Sequence, residues 1–139
     1  MFKLLKEIPL HISGIILIAM NVVTIVIHIS VLTKALSFKL INGGRTASFD
    51  EAKKQSSMAI VLLLVLSVMV AFFAELTGIS IIGGFRIATL VFLILFELTM
   101  LFSLVLQLLG TKFEKCVTSI IVFINLIMGL RLILEYSGK

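Results

Sequence analysis

Residues 87–109 read IATLVFLILFELTMLFSLVLQLL, and this stretch of 23 residues carries one charged side chain, Glu97. A helix needs roughly 20 mostly apolar residues to cross the hydrocarbon core of a bilayer, so the stretch is long enough to span it. Its apolar residues are continuous rather than alternating, which argues against a strand of a membrane β-barrel. The stretch therefore predicts a transmembrane helix.

Three other stretches have the same character, so we predict four spans, at approximately 12–33, 58–77, 87–109 and 117–135. The composition agrees, because 60% of the 139 residues are hydrophobic, 14% are charged and the mean hydropathy is +1.27. A soluble domain is about 45–50% apolar and about 25% charged. Short loops make consecutive helices antiparallel. The predicted fold is all-α, a single transmembrane domain over residues 1–139 built as an antiparallel four-helix bundle.

The longest polar segment, residues 34–57, separates the first two spans. Ser48 and Glu51 fit a capping box, which predicts that the second helix begins near Phe49. The first helix is predicted to continue beyond its span to about Ile41. These two extensions would form a short helical hairpin that projects from the membrane between helices 1 and 2.

Basic side chains are concentrated beside the first and third loops, and the net charge is +5. The predicted lipid or partner patch consists of Lys34, Lys39, Arg45, Lys53, Lys54, Lys112 and Lys115. Because seven of the 12 Lys and Arg residues lie on this side, the hairpin is predicted to be cytoplasmic and both termini outside. Anionic lipid is one interpretation of the patch, and a cytoplasmic protein docked at the hairpin is the other.

These basic residues flank apolar segments, so we expect no nucleic-acid partner. The expected location is a cell membrane, either the plasma membrane or a bacterial inner membrane.

Each span has a polar side chain near its middle: Asn21, Ser67, Glu97 and Asn125. A charge at a helix centre costs about 2.5–3.5 kcal/mol on insertion scales, so Glu97 is the strongest functional candidate. One interpretation is a midplane site for a proton, a cation or a small polar ligand, with His28 on its access side. The other is interhelical hydrogen bonding, within one chain or between protomers.

Small and polar residues also recur at helical spacing, which is typical of close contacts between membrane helices. The predicted packing stripe, apart from the midplane residues, consists of Gly14, Ala35, Ala71, Ala74, Gly78 and Gly129. On the first helix the stripe runs through Asn21 and His28, for which a pore or proton path is the functional alternative. Two interfacial ion pairs are predicted, Glu75 with Arg86 across a short turn and Arg131 with Glu135 four residues apart.

The loops lack the residue patterns of phosphate binding, acyl transfer, zinc proteases and thiol redox chemistry. His11 and His28 would stand about 25 Å apart on one helix, so they cannot share a metal ion or a haem iron. We therefore expect no metal, no cofactor and no enzymatic activity.

The leading functional hypothesis is a small membrane protein that acts by assembly. It would be a subunit of a homo-oligomer or of a complex with other membrane subunits, and its basic hairpin would contact lipid or a partner. The alternative is a small oligomeric ion channel or proton-coupled transporter that uses Glu97 at the bilayer midplane.

Overall fold

The computed structural model describes residues 2–40, 47–78 and 84–137. Its α-helices are α1 (Phe2–Glu7), α2 (Leu10–Leu32), α3 (Phe49–Phe73), α4 (Gly84–Leu108) and α5 (Ser119–Ser137). A short 3₁₀ turn at Phe38–Leu40 follows α2, and a π-helical turn at Glu114–Thr118 leads into α5.

Four segments are long and apolar enough to cross a membrane: Leu10–Leu32, Phe49–Phe73, Phe85–Leu108 and Glu114–Ser137. The prediction of an all-helical chain with four spans is therefore confirmed, and the chain is a multi-pass membrane protein. The short helix α1 precedes the first span and was not predicted.

The first helix ends at Leu32, close to the predicted end of its span at Thr33, so the predicted extension of this helix to about Ile41 was wrong. Lys34 adopts the left-handed conformation, with φ 62°, and its N–H donates to the Val31 carbonyl. The N–H of Leu36 donates to the Ser30 carbonyl over 3.0 Å. These bonds satisfy carbonyls at the helix end, where a lysine cation is also favourable. Helix α2 therefore does not continue into the polar segment.

The start of α3 agrees with the capping-box prediction. Ser48 is the N-cap, and its side-chain oxygen accepts a hydrogen bond from the Glu51 N–H over 3.3 Å. The Glu51 carboxylate in turn accepts from the Ala47 N–H over 3.1 Å. Because both bonds satisfy N–H groups at a helix start, α3 begins at Phe49, well before its most apolar part.

The end of α3 is a Schellman motif. The N–H of Leu76 donates to the Ala71 carbonyl over 2.9 Å, and the N–H of Glu75 donates to the Phe72 carbonyl over 3.0 Å. Glu75 takes the left-handed conformation, with φ 59°, a position that glycine usually fills. The second helix consequently ends at Phe73, before the predicted limit of its span.

Helix α2 packs along both α3 and α5, and α4 packs along α5. This order places α3 and α4 at the two edges, although the end of α3 contacts α4 through the rings of Phe73 and Phe92, whose centroids are 5.5 Å apart. Each span contributes one large, fully buried side chain to a shared apolar core: Leu17, Val70, Leu93 and Leu132.

Candidate functional site

Three of the four predicted midplane residues form one hydrogen-bonded chain across three helices. Asn125 of α5 donates from Nδ2 to Oδ1 of Asn21 over 3.3 Å, and Asn21 of α2 donates from Nδ2 to Oγ of Ser67 over 3.1 Å. The Ser67 hydroxyl donates to the Leu63 carbonyl within α3 over 2.8 Å. Asn21 is fully buried and Asn125 is 3% exposed, so these bonds lie inside the helix packing.

These bonds connect helices that apolar contact alone holds weakly. In a bilayer the lipid tails are as apolar as leucine, so apolar helix faces gain little from meeting. An interhelical hydrogen bond contributes about 0.6 kcal/mol on average in membrane proteins. The bonds of Asn21 therefore connect α2 to both of its neighbours.

The fourth midplane residue, Glu97, approaches α5 through Gly129. Its Oε1 atom occupies the space that a β-carbon on Gly129 would need, so the missing side chain is what lets the carboxylate come so close. Gly129 follows Asn125 by four residues, so the two share one face of α5 about one turn apart. The packing thus brings Glu97 into the neighbourhood of the asparagines.

We call the four midplane residues together the midplane cluster: Asn21, Ser67, Glu97 and Asn125. Two of its oxygen atoms accept no hydrogen bond from the described residues. Among the described residues, the buried side-chain atoms without a partner are Oε1 of Glu97, Oε1 of Gln107 and Oδ1 of Asn125. A buried polar group without a hydrogen bond costs roughly 1–3 kcal/mol by protein mutational data. Two of these three atoms, those of Glu97 and Asn125, belong to the midplane cluster. The cluster therefore has more hydrogen-bond acceptors than the described residues supply donors.

His28 forms a separate contact nearer the basic loops. Its Nδ1 atom lies 3.0 Å from Oγ of Ser56, which is fully buried. Val31 of α2 and Ala52 of α3 form a small buried cluster between the same two helices. His28 follows Asn21 by two helical turns. The imidazole therefore pairs with α3 at its own depth, with no described hydrogen bond to the midplane residues.

The packing stripe is found at some of its predicted positions and not at others. Gly14 lies directly against the Cβ atom of Ala74, and Gly129 accommodates Glu97. Ala71 is half-buried. Ala35 and Gly78 correct the prediction, because both are exposed and lie beyond the ends of their helices. Early termination of α2 and α3 removes these two positions from the helical spacing on which the stripe depended.

Arg131 and Glu135 form an ion pair, with 3.1 Å between Nη1 and Oε2. Arg131 is 6% exposed, and its Nε also donates to the carbonyl of Ile8 over 2.7 Å. This bond attaches the segment between α1 and α2 to the last part of α5. An arginine with a planar fork of donors can make both contacts at once.

The predicted pair between Glu75 and Arg86 is not formed. Arg86 instead donates to the backbone carbonyls of Glu135 and Tyr136, over 3.2 Å and 3.1 Å. The last carbonyls of a helix have no intrahelical partner and carry partial negative charge, so a guanidinium is well placed there. Glu75, as the left-handed residue of the Schellman motif, is exposed.

One residue of the basic patch, Lys34, lines a small apolar pocket at the loop side. Nζ of Lys34 stands 4.6 Å from the ring centroid of Phe49, and the rings of Phe38 and Phe49 are 6.5 Å apart. These side chains line a pocket of about 310 Å³. The other described lysines of the patch are exposed: Lys39, Lys53, Lys54, Lys112 and Lys115. Arg45 lies outside the described residues.

The first and third loops are joined directly, since the Thr111 hydroxyl donates to the Leu40 carbonyl over 2.6 Å. The Thr111 oxygen also accepts from the Glu114 N–H over 3.3 Å. This second Thr-x-x-Glu capping pattern was missed, although the rule that identified Ser48 and Glu51 also detects it. The link holds the two basic loops on the same side of the helices.

Among the described residues, no three His, Cys, Asp or Glu side chains are grouped so that they could hold a metal ion. The polar cluster is therefore an arrangement of amide, hydroxyl and single carboxylate oxygens. No protein-family model, no curated protein and no solved structure matches this chain.

Proposed function

We propose that the chain is a non-enzymatic membrane protein that acts by assembly, as a subunit of a homo-oligomer or of a larger membrane complex. The observation that supports this proposal is the open packing order of its spans. Helices α3 and α4 lie at the two edges, and each packs along one neighbour. In a closed antiparallel four-helix bundle each helix has two neighbours. A second chain at either edge would supply the missing neighbour.

The exposed faces of the edge helices are large. In α3 and α4, as in α2, only 17% of the most apolar window is buried within the chain. Leu98 on α4 is 58% exposed, and Val65 on α3 is 52% exposed.

We further propose that the basic patch faces the cytoplasm and that both termini lie outside. In the cytoplasm the patch would contact anionic lipid or a cytoplasmic protein.

Cysteine cross-linking in native membranes tests the assembly proposal. Cys116 is exposed and would first be replaced by serine. We expect Leu98→Cys or Val65→Cys to give disulfide-linked dimers under mild oxidation, because these positions face outward at the edges. Leu93→Cys is the matched control, since Leu93 is fully buried and cannot reach a second chain.

The mass of the purified protein in lipid nanodiscs completes this test. A dimer or larger oligomer supports assembly with itself, and cross-links to another membrane subunit support a larger complex. A monomeric mass combined with no cross-linked product at either edge helix would contradict the proposal.

A second candidate function is a small oligomeric ion channel or proton-coupled transporter. The observation that favours it is the pair of buried, unpartnered oxygens, Glu97 Oε1 and Asn125 Oδ1. Ionisable residues inside membranes commonly mark ion or proton pathways. Asn21 and Ser67 would line the site, and His28 would lie on the access side.

Flux into proteoliposomes tests this candidate. We expect Glu97→Gln to abolish proton or cation flux while the oligomeric mass is unchanged. Glu75→Gln is the matched control, because Glu75 is an exposed carboxylate at the end of α3. Equal flux through the wild-type protein, Glu97→Gln and protein-free liposomes would exclude a transport role.

A further inference from the structure

Two acceptor oxygens face the interior near the middle of the membrane without a donor. Oε1 of Glu97 and Oδ1 of Asn125 are both buried and unpartnered. Asn125 is more than nine-tenths buried, and its Nδ2 is already bonded to Asn21. Most buried side-chain oxygens in proteins have a hydrogen-bond partner, so this pair needs an explanation.

Gly129 lets the Glu97 carboxylate reach the face of α5 that also carries Asn125. Side chains four residues apart on a helix have β-carbons about 5–6 Å apart, and Asn125 and Gly129 have this spacing. Oε1 of Glu97 stands at the β-carbon position of Gly129. The carboxylate is therefore within about one helical turn of the Asn125 side chain, on the same face of α5. Asn21 contributes a further oxygen there, since its Oδ1 faces Asn125.

The described donors and cations around this point are directed elsewhere. Asn21 donates to Ser67, and Ser67 donates to the Leu63 carbonyl. On α5, Arg131 contacts Ile8 and Glu135.

The remaining basic groups on the packed helices are also engaged away from Glu97. Arg86 of α4 binds the carbonyls at the end of α5, and His28 of α2 faces Ser56. None of these groups neutralises the Glu97 carboxylate. Such unpartnered acceptors are satisfied by a hydrogen-bond donor, by a proton on the carboxylate or by a coordinated cation.

We propose that Glu97 and Asn125 form a midplane site for a single positive charge, either a proton or a monovalent metal ion such as Na⁺. A proton on Glu97 turns its carboxyl into a donor toward Oδ1 of Asn125. A metal ion is coordinated by both oxygens. This inference rests on the second candidate function, whose ligand it names, but it concerns binding and requires no flux.

Labelling with dicyclohexylcarbodiimide tests the site in the intact protein in nanodiscs. This apolar reagent adds to a protonated carboxyl, and the acyl product rearranges to a stable N-acylurea that mass spectrometry locates on a peptide. We expect Glu97 to be labelled, and the labelling rate to fall as the pH rises and the proton is lost.

Sodium ion distinguishes the two sources of positive charge. If Na⁺ competes for the site, a Na⁺ concentration about ten times its Kd lowers the labelling rate about elevenfold, because about one site in eleven remains free. If the occupant is a proton alone, Na⁺ leaves the rate unchanged while pH still controls it. Choline chloride at equal ionic strength is the salt control.

Asn125→Leu tests the second oxygen. We expect it to weaken protection by Na⁺ at least tenfold, or to move the pH midpoint of labelling. Thr99→Val, on the exposed side of α4, should change neither.

Glu97 unlabelled at every pH would overturn the site, as would labelling that depends on neither pH nor Na⁺. If Asn125→Leu does not fold, the melting temperature of the wild-type protein is measured instead. A melting temperature that changes with neither Na⁺ nor pH would also contradict the site. Because labelling measures binding, a labelled protein without flux separates this site from the transport function.

Discussion

The Glu97 carboxylate lies against the backbone of Gly129, in the space that any larger residue at position 129 would fill. Gly129→Ala would therefore force the carboxylate or the whole of α4 away from α5. Overpacking of this kind typically costs about 1–3 kcal/mol. We expect a loss of this size in the free energy of unfolding, measured by denaturant titration in mixed micelles.

Glu97→Ala in the Gly129→Ala background is the control for this first prediction. It removes the carboxylate that blocks the alanine, so it should restore part of the lost stability. Additive effects of the two substitutions would show that the contact is not the cause.

The hydrogen bond between Asn21 and Ser67 predicts measurable coupling between α2 and α3. In a double-mutant cycle of Asn21→Ala and Ser67→Ala, we expect a coupling energy of about 0.6 kcal/mol and at most about 1.7 kcal/mol. The readout is the free energy of unfolding of the four proteins of the cycle. A parallel cycle of Asn21→Ala with Ser56→Ala should give none, because Ser56 contacts His28 instead.

Arg131 should contribute more to stability than its ion-pair partner. Arg131→Met removes the bond to the Ile8 carbonyl as well as the pair with Glu135, and hydrogen bonds to charged groups contribute about 1.5–3 kcal/mol. Glu135→Gln should cost less than about 1 kcal/mol, as for partly exposed pairs. Equal losses in the two variants would indicate that the ion pair alone matters.

Removal of the N-cap side chain of α3 should destabilise the first turn of this helix without affecting its membrane part. Ser48→Ala removes the acceptor for the Glu51 N–H and should cost about 1 kcal/mol. We expect faster amide hydrogen exchange in the first turn of α3 and unchanged exchange in its membrane part. Ser57→Ala, at an exposed position within the same helix, is the control and should not speed exchange.

The sequence predicted the elements that depend on local chemistry. Continuous apolar runs gave the four spans, because a bilayer requires a fixed length of apolar helix whatever the neighbours are. Ser48 and Glu51 gave the start of α3, since a capping box satisfies N–H groups within four residues.

Helix ends and pair contacts could not be predicted in the same way. Lys34 and Glu75 end α2 and α3 in the left-handed conformation, and neither residue type signals such a position as glycine does. Arg86 binds two backbone carbonyls instead of the carboxylate of Glu75. Every residue has a backbone carbonyl, so the sequence gives no sign of which carbonyls a guanidinium will bind. The sequence showed that the four midplane residues lie at nearly the same depth. Which of their side chains contact one another depends on the rotation of each helix about its own axis, which the sequence did not show.

Helix α5 holds the other three spans at the membrane face away from the basic loops. Arg131 binds the segment before α2, the Tyr136 hydroxyl bonds the carbonyl of Phe73 at the end of α3, and Arg86 at the start of α4 reaches the last carbonyls of α5. The ribosome makes α5 after the other spans. The contacts of α5 with the start of α2, the end of α3 and the start of α4 can therefore form only after all four spans have been synthesised.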